Sequence, residues 1–345
     1  MLCSLSSHKT DNLITLPPHP AMKSFTEILD IFNQALAKMP FDKEPKSLYE
    51  PIRYALSLGG KRMRPALMLM AYQLYKDDFE TIMPTAIGIE TFHNFTLLHD
   101  DVMDRADVRR GKPTVHKVWN DNAAILSGDN MLVMSFRLIS QTRPEYLRQM
   151  VDLYTDTAIE IDEGQQYDID FETRMDVREE EYIEMIRLKT SVLLACALKM
   201  GAIQAGAPDA DADCLYRFGE RLGLSFQLQD DLLDVYGDFK TFGKKIGGDI
   251  LCNKKTYMLI NALRAATPEQ HRELEKWLTA TDYDPAEKIA AVTALYDQIG
   301  VRQMAEQRIN DYFAEAIQNL DAVEVSEEKK RPLREFAYAL LQRKS

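Results

Sequence analysis

Apolar residues recur with helical spacing along almost the whole chain. From Phe25 onward they follow the i, i+3, i+4, i+7 pattern of amphipathic helices, and no sustained alternation of apolar and polar residues indicates strands. The helix that leads to Asp104 is apolar around its circumference, which is typical of a buried helix, and Pro84 is predicted to open it. Thr267 and Asp284, each followed by proline, predict two further helix starts. The pattern therefore predicts an all-α fold.

Two acidic clusters with the same spacing interrupt these buried helical segments. They are Asp100, Asp101 and Asp104, and then Asp230, Asp231 and Asp234. Residues one helical turn apart share a face, so the carboxylates of each cluster converge, and such burial is unfavourable unless cations neutralise it. Oxygen ligands of this kind suit a hard divalent ion such as Mg²⁺. One cluster alone is equally compatible with a solvated acidic patch, but the second copy favours a shared metal site.

Basic residues lie near both acidic clusters in the sequence. They are Lys61, Arg62, Arg64, Arg109, Arg110, Lys189, Lys240, Lys244, Lys245, Lys254 and Lys255. Each one alone is compatible with a solvated side chain or a surface ion pair, except Lys189, which interrupts an apolar run where an unpaired ammonium is unfavourable. Carboxylates that hold Mg²⁺, together with Arg and Lys donors, are typical of a diphosphate site.

Composition excludes several other classes of function. Asp plus Glu number 54 against 42 for Lys plus Arg, and the net charge of −12 argues against nucleic acid and anionic membranes as partners. No apolar run reaches the roughly 18 residues of a membrane span. The four cysteines form no CxxC pair, which predicts reduced thiols and a cytoplasmic location. Residues 1–21 are polar and contain proline, which predicts a disordered extension before a single domain over residues 22–345.

Together, the motifs resemble those of the trans-prenyltransferases, or polyprenyl diphosphate synthases, in order and spacing over residues 50–260. The matching segments are Gly59 to Pro65, His99 to Asp104, Arg109 to Gly111, Gly164-Gln165 with Asp168, Lys189-Thr190, Phe226 to Asp234 and Gly243 to Lys245. The resemblance implies the isoprenoid synthase fold, a single large helical bundle around a central active-site cavity. It also implies a homodimer.

The resemblance further implies a role for each matching residue. The principal Mg²⁺ ligands would be Asp100, Asp104 and Asp230, supported by Asp101, Asp231 and Asp234. The allylic diphosphate would be held by Arg109, Lys189 and Lys245. Lys254 is a further predicted substrate-binding residue. The diphosphate of isopentenyl diphosphate would be bound by Lys61, Arg64, His99 and Arg110, and its hydrocarbon part by Phe226. The carbocation path would be lined by Thr190, Gln227 and the Lys189 backbone. His93 and His116 are interpreted as structural.

The implied activity is the Mg²⁺-dependent head-to-tail condensation of isopentenyl diphosphate with dimethylallyl, geranyl or farnesyl diphosphate. Farnesyl or geranylgeranyl diphosphate is the predicted product, because in this family a bulky residue at the position of Phe95 limits growth; Phe92 and Thr96 are its neighbours. On an ideal helix Phe95 is turned about 140° from Asp100 and Thr96 only about 40°, so the role of Phe95 depends on the resemblance. The alternatives are a medium- or long-chain synthase, a non-catalytic subunit of a heteromeric synthase and a terpene cyclase.

Overall fold

The computed structural model describes residues 22–237 and 246–342. The predicted N-terminal extension, the lysines 240, 244 and 245, and residues 343–345 lie outside the described residues.

Helices make up most of the described chain. They are α1 (Phe25–Ala37), α2 (Lys46–Ser57), α3 (Met63–Gln73), α4 (Phe79–Met103), α5 (Val115–Val118), α6 (Asp121–Ile139), α7 (Pro144–Thr173), α8 (Glu179–Ile186), α9 (Val192–Ala205), α10 (Asp209–Tyr236), α11 (Gly248–Leu251), α12 (Tyr257–Ala265), α13 (Pro268–Thr279), α14 (Pro285–Ile299), α15 (Val301–Asp321) and α16 (Glu327–Leu341). A π-helical turn, Arg187–Ser191, joins α8 to α9. The prediction of an all-α fold is confirmed.

A short antiparallel hairpin is the one β element within the described ranges. Strands β1 (Val108–Arg109) and β2 (Lys112–Pro113) are joined by Arg110 and Gly111, whose φ angles are 54° and 77°. Two consecutive positive φ angles are typical of the type I′ turn, whose twist matches that of paired strands. Arg109 ends β1 and Arg110 begins the turn, and the two side chains contact different partners, the Asp101 carboxylate and the Gly59 carbonyl.

The start of α4 differs from the prediction that Pro84 opens it. The helix begins at Phe79, and Pro84 lies inside it at the cost of one backbone hydrogen bond. Asp78 precedes the first turn and accepts a hydrogen bond from Thr81 Oγ1 at 2.8 Å, while the side chains of Phe79 and Ile82 are buried. This burial and the bond between the side chains of Thr81 and Asp78 hold the first turn despite the proline, and such packing is not visible in the local sequence.

The core consists of two apolar clusters, and α10 contributes to both. In the first cluster α4 packs on α6, α3 packs on α9, and α9 packs on α10. The second cluster lies between α10 and helices α8, α12, α14 and α15. Leu222 of α10 belongs to the first cluster and Leu228 to the second. The α10 helix therefore crosses the centre of the molecule and carries its acidic cluster there.

Two further sequence expectations concern membranes and thiols. Across the described ranges, no helix combines the length and apolar character that crossing a bilayer requires. Cys196, Cys214 and Cys252 are free thiols.

Candidate active site

The structure brings Asp100 of the first acidic cluster and all three aspartates of the second to one cavity of about 280 Å³. The charged side chains that line this cavity are Asp100 of α4, Asp168 of α7, Lys189 of the π turn, Asp230, Asp231 and Asp234 of α10, and Asp249 and Lys254 beyond it. The other lining residues are the polar Tyr182, Thr190 and Gln227 and the apolar Met185 and Ile186. Residues far apart in the chain therefore form a single site.

Both acidic clusters occupy the C-terminal end of a helix. The α4 helix ends at Met103 with Asp104 at its C-cap, and α10 ends at Tyr236, two residues beyond Asp234. A helix C-terminus carries partial negative charge, so carboxylates there are unfavourable by about 0.3–1 kcal/mol each at exposed sites. Their position is therefore unfavourable for folding, and it would become less so if cations neutralised the carboxylates.

Arg109 neutralises part of the first cluster. Its Nε and Nη2 atoms donate to Asp101 Oδ1 at 2.9 Å and 2.5 Å, and Nη2 lies 3.5 Å from Asp100 Oδ2. Burial raises the pKa of Asp101 above its usual range, against the opposing effect of Arg109. Burial and the neighbouring Asp100 raise the pKa of Asp104 in the same way. Three carboxylates therefore face the one guanidinium of Arg109, and after burial the repulsion from Asp100 contributes to the raised pKa of both neighbours.

Lys189 reaches the cavity from the π turn and is paired there with carboxylates. This pairing offsets the unfavourable burial of an ammonium in an apolar run. The Lys189 Nζ lies 2.5 Å from Asp168 Oδ2 and 3.5 Å from Asp100 Oδ1, and Lys254 Nζ lies 3.7 Å from Asp168 Oδ2. Burial alone would raise the pKa of Asp168, but Lys254 and Lys189 outweigh burial and hold the pKa below its usual value. Asp168 therefore aligns both lysines toward the cavity.

The π turn depends on close packing by a glycine of α7. A Cβ at Gly164 would lie 2.4 Å from the backbone nitrogen of Lys189, so no larger residue fits there. π turns within helices occur frequently at functional sites. Here the turn presents the consecutive residues Lys189 and Thr190 to the same cavity.

The carboxylates of α10 are oriented by Gln227, which the sequence predicted at the site, and by Tyr182 and Asp249, which it did not. The hydroxyl of Tyr182 donates to Asp231 Oδ2, and Gln227 Nε2 donates to Asp231 Oδ1 at 3.3 Å. The backbone nitrogen of Asp249 donates to Asp234 Oδ2 at 2.9 Å. Burial raises the pKa of Asp231 to about 7, and Asp249 adds to the shift while Tyr182 opposes it. No spacing in the sequence connects Tyr182 or Asp249 with the motif on α10.

The residues present fit a divalent ion such as Mg²⁺. Six aspartates line the cavity against two lysines. Asp100 Oδ1 is buried with no hydrogen-bond partner among the described residues, and Lys189 is 3.5 Å away. No three possible ligands within these residues form a closed metal cage. Mg²⁺ keeps several waters and binds through one or two carboxylates plus phosphate oxygens, which an open, acidic site allows.

A separate basic cluster lies near the acidic cluster of α4. It is defined here as Lys61, Arg64, His93 and Arg110. Burial lowers the pKa of Arg64 to about 10, with Arg110 adding to the shift and Glu90 opposing it. The guanidinium of Arg110 packs where a Cβ at Gly60 would be, and it donates to the carbonyl of Gly59. Arg64 Nε is buried without a hydrogen-bond partner among residues 22–237 and 246–342. Like charges held together with an orphan donor are typical of an anion site.

His93, which was interpreted as structural, belongs to this basic cluster. Its Nε2 lies 3.1 Å from Arg64 Nη1, and because arginine only donates, Nε2 accepts and the ring proton is assigned to Nδ1. Burial, then Arg64 and Arg110, lower the pKa of His93 well below its usual value, so the ring is neutral. A spacing of seven residues puts His93 on the helix face of Asp100, and this signal was present in the sequence.

His99, the histidine predicted to bind diphosphate, is not brought to the basic cluster. Its Nε2 lies 3.1 Å from the carbonyl oxygen of Ile125 on α6. A Cβ at Gly128 would lie 2.2 Å from the same nitrogen, so the ring fills the space above that glycine. The role of His99 was implied by the family resemblance, but adjacent residues on a helix point about 100° apart, so His99 does not share the direction of Asp100.

The structure places the neighbouring residues Arg62 and Lys61 in different surroundings. Arg62 is buried, forms an ion pair with Glu90 of α4 and donates to the Leu56 carbonyl of α2 at 2.5 Å. It therefore links α2 to α4 and has a structural role. Lys61 Nζ lies 5.6 Å from the centroid of the Phe226 ring, which brings Phe226 beside the basic cluster.

The predicted chain-length residues all belong to α4 but make different contacts. Phe95 is 9% exposed, with its ring 4.8 Å from that of His99 and 5.5 Å from that of Phe92. The Thr96 hydroxyl donates to the His93 carbonyl at 2.9 Å. Neither phenylalanine is part of the polar cavity wall described above. Their influence on product length stays a prediction.

Comparison with known proteins identifies the family. Residues 45–296 match the model of the polyprenyl synthetase family. The geranylgeranyl diphosphate synthase of Methanosarcina mazei is 43% identical over 220 residues, which cover 63% of this chain and 68% of that protein. The geranylfarnesyl diphosphate synthase of Natronomonas pharaonis is 34% identical over 322 residues, covering 88% of this chain and 92% of that protein.

A solved structure shares the fold along nearly the whole chain. The crystal structure of a geranylgeranyl pyrophosphate synthase superposes with a TM-score of 0.89 at 43% identity and covers 94% of this chain and 100% of that chain. The predicted isoprenoid synthase fold is thereby confirmed. The family match extends over more than half of the 345 residues. This chain therefore belongs to the polyprenyl synthetase family and is a prenyltransferase.

Proposed function

We propose that this chain condenses isopentenyl diphosphate with an allylic diphosphate, in the presence of Mg²⁺, to give a short-chain prenyl diphosphate and diphosphate. The main support is that two consecutive residues, Arg109 and Arg110, reach two different sites: an acidic cavity that suits a metal ion and a separate basic cluster. Arg109 binds the carboxylates of Asp100 and Asp101, whereas Arg110 donates to the Gly59 carbonyl beside Arg64. Such a pair of sites suits two diphosphates, one bound with metal and one without.

Asp100, Asp104 and Asp230 are proposed as the Mg²⁺ ligands, supported by Asp101, Asp231 and Asp234. The supporting role agrees with the hydrogen bonds that these three carboxylates already accept. Arg109 donates to Asp101 and Tyr182 donates to Asp231. The Asp249 backbone nitrogen donates to Asp234. When bound, the ion would neutralise negative charge that develops on the leaving diphosphate.

Arg109, Lys189 and Lys254 are proposed to hold the allylic diphosphate. Both lysines already lie within 4 Å of Asp168, at 2.5 Å and 3.7 Å, so their charges are directed at the cavity before substrate arrives. Lys245, which lies outside the described residues, is proposed as a further ligand on the family resemblance. Preorganised cations lower the barrier to ionisation because they require no rearrangement as charge develops.

The basic cluster is proposed to bind the diphosphate of isopentenyl diphosphate, with His93 in place of His99. The orphan Nε of Arg64 supplies a donor, and His93 holds the guanidinium from its other side. Phe226, beside Lys61, is proposed to contact the hydrocarbon part of this substrate.

Thr190 and Gln227 are proposed to line the path of the carbocation, together with the Lys189 backbone. Thr190 Oγ1 donates to Gln227 Oε1 at 3.5 Å, and Gln227 Nε2 donates to Asp231, so both side chains are held at the cavity wall. The released diphosphate is proposed as the base that takes the final proton. His93 is unsuited to that role, because its Nε2 lone pair is engaged by Arg64.

Product analysis tests this proposal directly. The purified protein is incubated with Mg²⁺, isopentenyl diphosphate and each of the dimethylallyl, geranyl and farnesyl starters, with an Asp100→Asn variant as the inactive control. The expected products are farnesyl or geranylgeranyl diphosphate. Longer products would support a medium- or long-chain synthase, cyclic hydrocarbons a terpene cyclase, and activity only with a second protein a regulatory subunit.

A homodimer through one stripe of α6 is also proposed. Leu126, Val133 and Phe136 are 60%, 65% and 41% exposed, and their spacing of seven and three residues places them on one face. An exposed apolar stripe of this kind is typical of an interface. Sedimentation velocity should give a dimer for the wild type and a monomer for a Leu126→Glu, Val133→Glu variant. Met175→Glu, at another exposed apolar residue, is the matched control and should remain dimeric.

The domain organisation and location are proposed from the core and the thiols. Residues 22–345 are proposed to form one catalytic domain, because α10 contributes to both apolar clusters. A cytoplasmic location is proposed because Cys196, Cys214 and Cys252 are free. Cell fractionation would contradict this location if the protein were recovered in a membrane or secreted fraction.

A further inference from the structure

A lysine of α14 is buried without any role in the site described so far. Lys288 is 1% exposed, and its Nζ donates to Asn253 Oδ1 at 2.7 Å. The same ammonium lies 4.4 Å from the centroid of the Tyr283 ring. Burying an ammonium is unfavourable unless its donors find partners, so these two contacts are needed for Lys288 to be accommodated.

Asn253, which accepts the hydrogen bond from Lys288, has a left-handed backbone conformation. Its φ angle is 52°, in the left-handed region where residues other than glycine are uncommon. Its amide is engaged at both ends, since Oδ1 accepts from Lys288 and Nδ2 donates to the Leu278 carbonyl at 3.0 Å. Helices α13 and α14 therefore fix the segment that follows α11.

The next residue, Lys254, is the one that enters the active-site cavity. Its backbone nitrogen donates to the Asp249 carbonyl at 2.9 Å, and its Nζ lies 3.7 Å from Asp168. The hydroxyl of Tyr283 also donates to the Leu251 carbonyl at 3.4 Å, on the other side of Asn253. The direction of the Lys254 side chain thus depends on the backbone conformation of its neighbour.

We propose that Lys288 is a positioning residue for the allylic diphosphate site: by holding the Asn253 amide, it fixes the left-handed turn that directs Lys254 at Asp168. This inference rests on the proposed function, in which Lys254 binds the allylic diphosphate. Lys288 itself touches no substrate, because it is buried and faces a small internal pocket that Val292 and Tyr296 also line.

A double-mutant cycle tests the coupling between the two residues. Lys288→Met removes the donor at similar length, and Asn253→Gly removes the amide while tolerating the positive φ. Each single variant should raise KM for the allylic diphosphate by about tenfold, the scale of a misplaced charged hydrogen-bond partner. KM for isopentenyl diphosphate and kcat should stay within about twofold. The double variant should resemble the single variants, because both break the same contact.

Lys330→Met is the matched control. Lys330 is 4% exposed on α16, and its Nζ donates to the Asp321 carbonyl at 2.7 Å. This variant should lower the thermal midpoint to a similar degree, yet leave both KM values unchanged. Equal increases in KM for both substrates, an unchanged allylic KM in Lys288→Met, or effects that multiply in the double variant would each overturn the proposal. If Lys288→Met does not fold, an unchanged allylic KM in Asn253→Gly would overturn it.

A binding measurement separates this inference from the proposed function. Titration calorimetry with inorganic diphosphate and Mg²⁺ needs no turnover, and Lys288→Met should bind about tenfold more weakly than the wild type. If the wild type makes no prenyl diphosphate but shows this difference, the proposed reaction fails and the positioning role stands. If the variant binds as tightly as the wild type, or the wild type binds no diphosphate, the positioning role fails.

Discussion

Replacing His93 tests which histidine serves the isopentenyl diphosphate site. In His93→Ala the Arg64 guanidinium loses the acceptor that lies 3.1 Å from its Nη1. Arg64 is already disfavoured as a cation, since burial lowers its pKa to about 10. Without His93 we expect the guanidinium to turn away from the position in which its orphan Nε can meet an anion.

The magnitude follows from the kind of contact that is lost. A hydrogen bond to a charged group contributes about 1.5–3 kcal/mol, so KM for isopentenyl diphosphate should rise about 10- to 150-fold. His93→Gln keeps a neutral acceptor and should recover most of this loss. His99→Ala removes a ring that packs on Gly128 and lies 4.8 Å from the ring of Phe95, so it should lower the free energy of unfolding by about 1–3 kcal/mol with little change in KM.

Steady-state kinetics with isopentenyl diphosphate varied at saturating allylic diphosphate measures the effect. Denaturant unfolding of each variant separates loss of binding from loss of folded protein. A larger rise in KM for His99→Ala than for His93→Ala would refute the reasoning and restore the assignment made from the sequence.

Three other predictions concern metal, product length and pH. Asp100→Ala or Asp230→Ala should reduce turnover by orders of magnitude, and chelation should abolish it until Mg²⁺ is restored; near-normal rates in either variant would contradict the paired-metal mechanism. Phe95→Ala should lengthen the product because it removes bulk from α4, and chromatography showing an unchanged length would exclude that role. Because the pKa of His93 is depressed in the folded state, stability should fall as the pH falls below about 6.5, where the unfolded chain takes up the proton first. Relative to His93→Gln, the wild type should therefore lose ~1 kcal/mol of unfolding free energy between pH 7.5 and 5.5 in urea titrations, and parallel curves would contradict this.

Helix starts were predictable wherever local chemistry decides them. Thr267 accepts from the Gln270 backbone nitrogen, and Asp284 accepts from the nitrogens of Ala286 and Glu287, so α13 and α14 begin where the cap and proline predicted. Pro84 shows the opposite case. The start of α4 was set five residues earlier by burial of Phe79 and Ile82, which depends on neighbouring helices.

The sequence by itself determined the all-α fold, the family and the two acidic motifs, because helical periodicity and motif spacing are properties of the local chain. The seven-residue spacing put His93 on the helix face of Asp100, but only the tertiary structure decided that His93 rather than His99 lies beside Arg64, and that Tyr182 orients Asp231. It also showed that Lys288 reaches Asn253. These contacts join residues distant in the chain, and whether they form depends on how helices pack, which spacing along one helix does not specify.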